Sequence, residues 1–409
     1  MRGGIRFGRL FGIDLLVDLG WPAAFLFVSV NLVFVFSAWH PAWPLAVRVG
    51  LALLASLLFF ASILAHELTH ALAARLFGTR TRSIRLLFFG GVADIEREPP
   101  SPVAEFIIAF AGPLASLALG AALSFGALVS ADPAAVEGDA FVAALGPAAT
   151  LAAWLGVSNV AVGLFNLLPG FPLDGGRMLR ASLWALSGSL ARATQWASWV
   201  GQLVALALIG AGLAMAFGSD VPLLGTGVAS GLWLVLVGGF IYSAASQASR
   251  RCTVRDALEG VPVARLLRAP ARSVRPQLDL RSLVEGWQAE GGSRPMPVVE
   301  GASLLGLVRP DDVRPVDPAS WADTPLRTVM KPLDRLPTAS SHDDLDGALA
   351  KLVEGELEEM PVLEGGRFVG LLHLSDITRY LELEAPARRR RPRRARAVEA
   401  AASALARLP

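Results

Sequence analysis

The chain has 409 residues, of which 53% are hydrophobic and only 18% charged, against about a quarter charged in ordinary soluble domains. The charge is unevenly spread, with 25 charged side chains in residues 1–250 and 47 in residues 251–409, so a membrane-embedded half precedes a water-soluble half. A net charge of +2 and a single cysteine, Cys252, exclude a nucleic-acid partner held by bulk charge, an intramolecular disulfide framework and a zinc site built from cysteines.

Crossing roughly 30 Å of hydrocarbon takes about 20 apolar residues of helix. Six stretches qualify: Trp21–Trp39, Leu45–Phe77, Pro102–Ser130, Ala140–Leu168, Trp196–Gly218 and Val221–Gln247. No small-residue cleavage site follows the first and another apolar run comes at once, so all six are expected to stay in the protein. Arginines gather at four places that fall on one side of the membrane: Arg2, Arg6 and Arg9; Arg75, Arg80, Arg82 and Arg85; Arg177, Arg180 and Arg192; Arg250, Arg251 and Arg255. The opposite loops carry Asp132, Glu137, Asp139 and Asp220 and no arginine. This bias predicts a multi-pass protein of the cell membrane with both termini and the soluble half in the cytosol. Two segments read as short strands near the membrane, or else as amphipathic connectors. Ile13, Leu15, Val17 and Leu19 alternate with Asp14, Leu16 and Asp18, and the β-branched and aromatic run 83–93 contains a glycine pair.

An ionisable residue inside a span marks function by default, because burying it in lipid without a partner costs several kcal/mol. The second stretch contains His66-Glu67-Leu68-Thr69-His70. Residues i and i+4 of a helix share a face, so the two imidazoles can grip one zinc ion, with Glu67 beside them to take a proton from the attacking water. A metal-free hydrogen-bonded cluster is the structural alternative. Two histidines leave tetrahedral zinc short of one protein ligand. In Asn166-Leu-Leu-Pro169-Gly-Phe-Pro172-Leu-Asp174-Gly175-Gly176-Arg177 the prolines stop the helix, and the expectation is that Asp174 lies on irregular backbone lining a cavity and supplies the third ligand. The competing reading is a helix-ending turn with Asp174 bonded to Arg177.

The H-E-L-T-H helix, Gly90-Gly91-Val92-Ala93, Ala111-Gly112-Pro113-Leu114 and the segment from Asn166 to Gly176 resemble, in order and spacing, the site-2 protease family of intramembrane zinc metalloproteases. The resemblance covers about residues 1–250. It implies one zinc ion per chain held by His66, His70 and Asp174, with Glu67 as catalytic acid and base. It further implies regulated intramembrane proteolysis of a transmembrane protein substrate, such as a single-span protein in the lipid bilayer. Asn166 would position the substrate backbone, and the strand before Gly90 and Gly91 would pair with an unwound substrate segment. Family members often carry asparagine where this chain has Ser116, which argues against a polar contact there. Two other readings stay open. One is a membrane transporter or channel regulated by its soluble half; the other is a membrane zinc peptidase whose third ligand is a glutamate on a later helix, for which Glu105 at the mouth of the third stretch is the candidate.

The soluble half contains an internal repeat. Met296–Val313 aligns with Met360–Ile377, each reading as strand, turn, strand and helix, with helical segments Leu280–Glu290 and Leu345–Glu354 before them. The repeat resembles a tandem pair of cystathionine-β-synthase (CBS) domains, with lead-in segments at Val254–Val261 and Thr324–Pro337. Such pairs bind adenosine nucleotides or join chains into homodimers. Here Asp312 and Asp376 are preceded at the ribose-holding position by Arg309 and His373, so both copies lack the usual hydroxyl and a structural or dimerising role is favoured. The expected architecture is therefore a polytopic α-helical membrane protein, about six transmembrane helices with short membrane-associated β-strands, plus a cytosolic α/β tandem CBS-domain module. The expected domains are a peptidase domain at 1–250, CBS domains at 251–383 (copies near 251–316 and 324–383), and a basic tail at 384–409. The run 388–396 in that tail reads as solvated and drawn to anionic lipid. His40 and His342 fall in loops and read as ordinary surface residues.

Overall fold

The computed structural model places proline at the start of four of the six membrane helices, Pro22, Pro44, Pro102 and Pro147. It describes residues 4–87, 90–95, 98–130, 139–222, 225–267, 272–289, 294–301 and 303–383; the basic run 388–396 lies outside them. Two compact units separate by their contacts, Met1–Cys252 and Thr253–Pro409.

The first unit opens with a hairpin, β1 (Gly4–Leu10) and β2 (Ile13–Asp18), followed by the helices α1 (Trp21–Trp39) and α2 (Leu45–Leu76). A second hairpin, β3 (Thr81–Leu87) and β4 (Gly90–Ile95), leads into α3 (Pro102–Val129). Then come α4 (Asp139–Ala144), α5 (Pro147–Asn166), α6 (Asp174–Ser187), α7 (Leu190–Ala216) and α8 (Val228–Leu258). Six of these, α1, α2, α3, α5, α7 and α8, are long and apolar enough to span a membrane. Their outward leucines and phenylalanines, such as Phe34, Leu57, Phe125 and Leu203, are exposed, as lipid-facing side chains must be. Small residues bring helices together instead: a Cβ on Gly120 would stand 2.8 Å from the Gly156 carbonyl, so α3 and α5 cross almost backbone to backbone.

Three boundaries differ from expectation. The fourth stretch breaks at Gly146-Pro147, because proline cannot donate to a preceding turn and Gly146 is extended, leaving α4 separate from α5. Helix α7 starts six residues early, where the Ser189 side chain accepts from Arg192 N. Helix α8 starts at Val228 and continues through Arg250, Arg251 and Arg255 to Leu258, so the boundary between the units falls inside a helix. His40 also departs from expectation. It is buried, with Nε2 2.9 Å from Thr150 Oγ1 and its ring stacked 3.7 Å from that of Trp43.

The strands form one sheet in the order β1-β2-β3-β4, with β2 and β3 parallel and the other pairs antiparallel. Ile13 and Ile84 on one face of the sheet pack on Ala71, Leu64 and Leu68 of α2, which seats the sheet beside the H-E-x-x-H turn. The strand before Gly90, β3, is flanked by β2 and β4 and has no edge to offer. The expected pairing of β3 with substrate is therefore wrong; β1 and β4 are the edge strands, and β4 is the one that passes Glu67.

In the second unit, β5 (Met296–Glu300) and β6 (Ser303–Val308) make a hairpin extended by β7 (Lys331–Pro332). The matching hairpin of β9 (Glu359–Glu364) and β10 (Arg367–His373) is extended by β8 (Ala339–Ser340). Helices α9 (Leu280–Ala289), α10 (Pro310–Val313), α11 (Leu326–Val329), α12 (Leu345–Glu354) and α13 (Leu374–Leu383) complete the repeat. The lead-in segments are exchanged. Val261 and Val263 pack with Leu345, Met360 and Tyr380 of the second copy, while Leu326 packs with Leu280 and Val298 of the first. Each hydrophobic core thus takes residues from both halves of the sequence repeat.

Arg309 and His373, at the positions expected to hold ribose, are already engaged. Arg309 donates to both carboxylate oxygens of Asp312, at 3.2 Å each, and His373 Nδ1 lies 3.0 Å from Glu359 Oε2. Burial first, and Glu358 beside it, push the Glu359 carboxyl up to about 8 against the opposing pull of Arg309 and Arg294. The acid is neutral in the folded chain where it would be ionised in the unfolded one, so stability contributed here falls as pH rises from the ordinary glutamate range towards about 8. Hydrogen exchange of β9, corrected for intrinsic rates, should show protection declining over that window, and Glu359→Gln should flatten the decline.

Candidate metal centre

Helix α2 turns its exposed leucines outward and His66 and His70 inward, and both imidazoles are buried. Each is fixed from behind. His70 Nδ1 lies 2.6 Å from the Ile108 carbonyl, and since a carbonyl only accepts, Nδ1 carries the proton and Nε2 keeps its lone pair. His66 Nδ1 lies 2.9 Å from Ser116 Oγ. Ser116 is therefore a polar partner of the cluster, contrary to expectation. Gly112 and Ser116, four residues apart on α3, present one face to the histidines.

Asp174 does not sit on irregular chain as expected. It is the first residue of α6, which begins as soon as Pro172 is passed, with the extended Leu173 as its cap. The glycines after it serve close packing: a Cβ on Gly175 would stand 2.3 Å from the Leu167 carbonyl, and one on Gly176 2.2 Å from the Gly170 carbonyl carbon. The loop thereby folds tightly over the first turn of α6 and delivers Asp174 Oδ2 to within 3.1 Å of His66 Nε2 and 3.0 Å of His70 Nε2. The two Nε2 atoms are 3.2 Å apart. Asp174 Oδ1 faces Arg177 Nη1 at 3.9 Å, so the contact with Arg177 exists alongside the cluster rather than instead of it.

With His66 Nε2 unprotonated, as His70 Nε2 is, three lone-pair donors converge here and repel one another unless a cation stands among them. Tetrahedral zinc with bonds of about 2.0 to 2.1 Å separates its ligands by roughly 3.3 Å, close to the 3.0, 3.1 and 3.2 Å found. His66, His70 and Asp174 form the one such cluster of candidate ligands among the described residues. Glu105 is excluded from it. This residue is fully buried and is bound by Arg180, whose Nε donates to Oε1 at 2.6 Å and whose guanidinium also covers the Phe171 ring. That pair ties α6 to α3 and so holds Asp174 in place.

Glu67 lies between the cluster and the sheet edge, where a Cβ on Gly91 would meet its Cγ at 2.5 Å and its Oε1 at 3.2 Å. Only glycine lets β4 pass so near. Gly90, with φ of 137°, also needs the absence of a side chain. Asn166 ends α5 with its amide donating to Val162 O of its own helix; the structure does not bring it into the donor cluster. Neither Ser116 nor the Ile108 carbonyl carries a direct signal in the sequence, although the four-residue spacing from Gly112 would have placed Ser116 on the same face.

A zinc-type donor set on a spanning helix, closed by a distant aspartate beside an acid and an open strand, defines an intramembrane zinc metallopeptidase. The profile of peptidase family M50 matches residues 54–142 and 131–209, and that of the CBS domain matches residues 326–383. The chain is 34% identical over 394 residues to Rip3 of Mycobacterium tuberculosis, named a zinc metalloprotease, with 94% of each chain covered. It is 30% identical over 395 residues to sll0528 of Synechocystis, also so named, covering 94% of this chain and 97% of that one. A solved site-2 protease from Methanocaldococcus jannaschii is 28% identical, covers 60% of this chain and 95% of its own, and superposes with a TM-score of 0.40. The chain belongs to peptidase family M50, the site-2 proteases, and is a multi-pass membrane zinc metalloendopeptidase carrying a CBS module.

Proposed function

We propose that His66, His70 and Asp174 hold the zinc ion and that Glu67 is the acid and base in hydrolysis of a peptide bond within a transmembrane segment of a protein substrate. The observation that carries this is the convergence of the three donor atoms, with Glu67 beside them at the unpaired edge of β4. Bound zinc supplies Lewis acidity, polarising the scissile carbonyl and acidifying water. Everything else falls to the chain. A helical substrate hides its carbonyls in its own hydrogen bonds and must unwind first. The edge of β4 offers the extended segment a backbone ladder, and Gly90 and Gly91 keep that ladder within reach of Glu67. Glu67 removes a proton from the attacking water and returns it to the leaving amine. Asn166, at the end of α5, is assigned to the substrate backbone on the family resemblance.

The arginine bias supports cytosolic termini and a cytosolic CBS module. For that module we favour a dimerising or regulatory role over nucleotide binding, because Arg309 already occupies Asp312. The peptidase reading is tested by Asp174→Asn. Loss of the anionic ligand should lower zinc affinity at least tenfold and cleavage with it; wild-type zinc binding by that variant would remove Asp174 from the site.

A further inference from the structure

A second polar feature of the first unit lies away from the zinc cluster. The turn of the β1-β2 hairpin meets the end of α2 and the start of β3 around a cleft of about 750 Å³, a volume typical of small-ligand sites. Four arginines line it, Arg9, Arg75, Arg80 and Arg82, against one acid, Asp14. Asp14 is already shared between Arg6 at 2.7 Å and Arg9 at 3.6 Å, while Arg75 and Arg80 have no acidic partner among the described residues.

The position of the cleft says what should fill it. Arg48 and Arg75 lie near opposite ends of α2, roughly 40 Å apart at the rise of an α-helix, which is about the thickness of a bilayer with its headgroups. Arg75 therefore stands in a headgroup layer, and its Nη2 donates to the Phe11 carbonyl at the hairpin turn. Beside the cleft, Leu10, Phe11 and Leu76 are exposed apolar side chains, suited to acyl chains rather than to water. We infer that this cleft binds the phosphate group of an anionic glycerophospholipid, with Arg75 and Arg80 pairing the phosphate and the hairpin turn resting in the acyl region. Basic pockets at the membrane face bind such headgroups by the same physics. The bound lipid would pin the sheet that carries β4 to the end of the helix that carries His66 and His70.

The test is native mass spectrometry of the full-length, delipidated protein after addition of phosphatidylglycerol, phosphatidylcholine or inorganic phosphate. Phosphatidylglycerol should be retained and phosphatidylcholine not. Arg75→Gln with Arg80→Gln should weaken retention about 25-fold, whereas Arg251→Gln, an exposed arginine outside the cleft, should leave it unchanged. Zinc content of each variant reports that the fold is intact. Equal retention of the two lipids, equal loss with Arg251→Gln, or full competition by inorganic phosphate would overturn the assignment, the last by making free phosphate the ligand.

Discussion

Glu67→Gln should abolish cleavage of a transmembrane substrate while zinc remains bound at one ion per chain. Glutamine keeps the volume of glutamate, so the packing of Gly91 over the side chain, with a would-be Cβ 2.5 Å from Cγ, is undisturbed. The amide cannot accept a proton from water, and general acid-base catalysis of this kind contributes about 10²- to 10⁴-fold. His66, His70 and Asp174 keep their mutual contacts at 3.0 to 3.2 Å, so the donor set survives. Cleavage of a reconstituted substrate, read beside metal analysis of the same preparation, decides the matter. Wild-type turnover would remove Glu67 from the chemistry, and loss of zinc would make it a structural residue.

Gly112→Ala should do the opposite, weakening zinc binding without replacing any ligand. An added Cβ would stand 2.3 Å from His70 Nε2, 2.6 Å from its Cε1 and 2.8 Å from His66 Nε2. The rings cannot rotate away cheaply, because the Ile108 carbonyl holds one and Ser116 the other. Overpacking of this sort costs about 1 to 3 kcal/mol, and zinc affinity should drop by about 10- to 100-fold, the range seen when groups behind metal ligands are disturbed. A chelator competition titration measures this directly. Gly126→Ala, on the same helix with nothing within 4 Å of its would-be Cβ, is the matched control and should bind zinc normally.

These two sites show what sequence can and cannot display. The H-E-x-x-H pair is local, four residues on one helix, so its geometry follows from the helical repeat alone. Asp174 is 104 residues beyond His70, yet it is legible because an acid inside apolar chain has few other reasons to exist. Where Asp174 sits is less legible: Pro169 and Pro172 end α5, but the glycines that seem to loosen the backbone instead let the loop press onto the first turn of α6. Contacts between helices, such as Ser116 to His66 or Glu105 to Arg180, depend on rotation about helix axes, which small-residue packing sets and no periodicity reports. Strand β1 is hidden for another reason: its glycines weaken strand propensity and its arginines weigh towards orientation. The exchanged lead-in segments of the CBS copies are invisible because a repeat shows which segments correspond, not which of two like sheets each one joins. Mistaking β3 for the substrate-binding strand has the same origin, since edge and centre of a sheet are decided by its order.

The central claim is that one zinc ion is held within the membrane by two imidazoles and one carboxylate. X-ray absorption at the zinc K-edge of the purified full-length protein tests it most directly. The expected spectrum has four light ligands at about 2.0 to 2.1 Å, multiple scattering from two imidazoles and no sulfur, and it changes in Asp174→Asn and not in Glu67→Gln. Scattering from a single imidazole, or a spectrum unaltered by Asp174→Asn, would contradict the account.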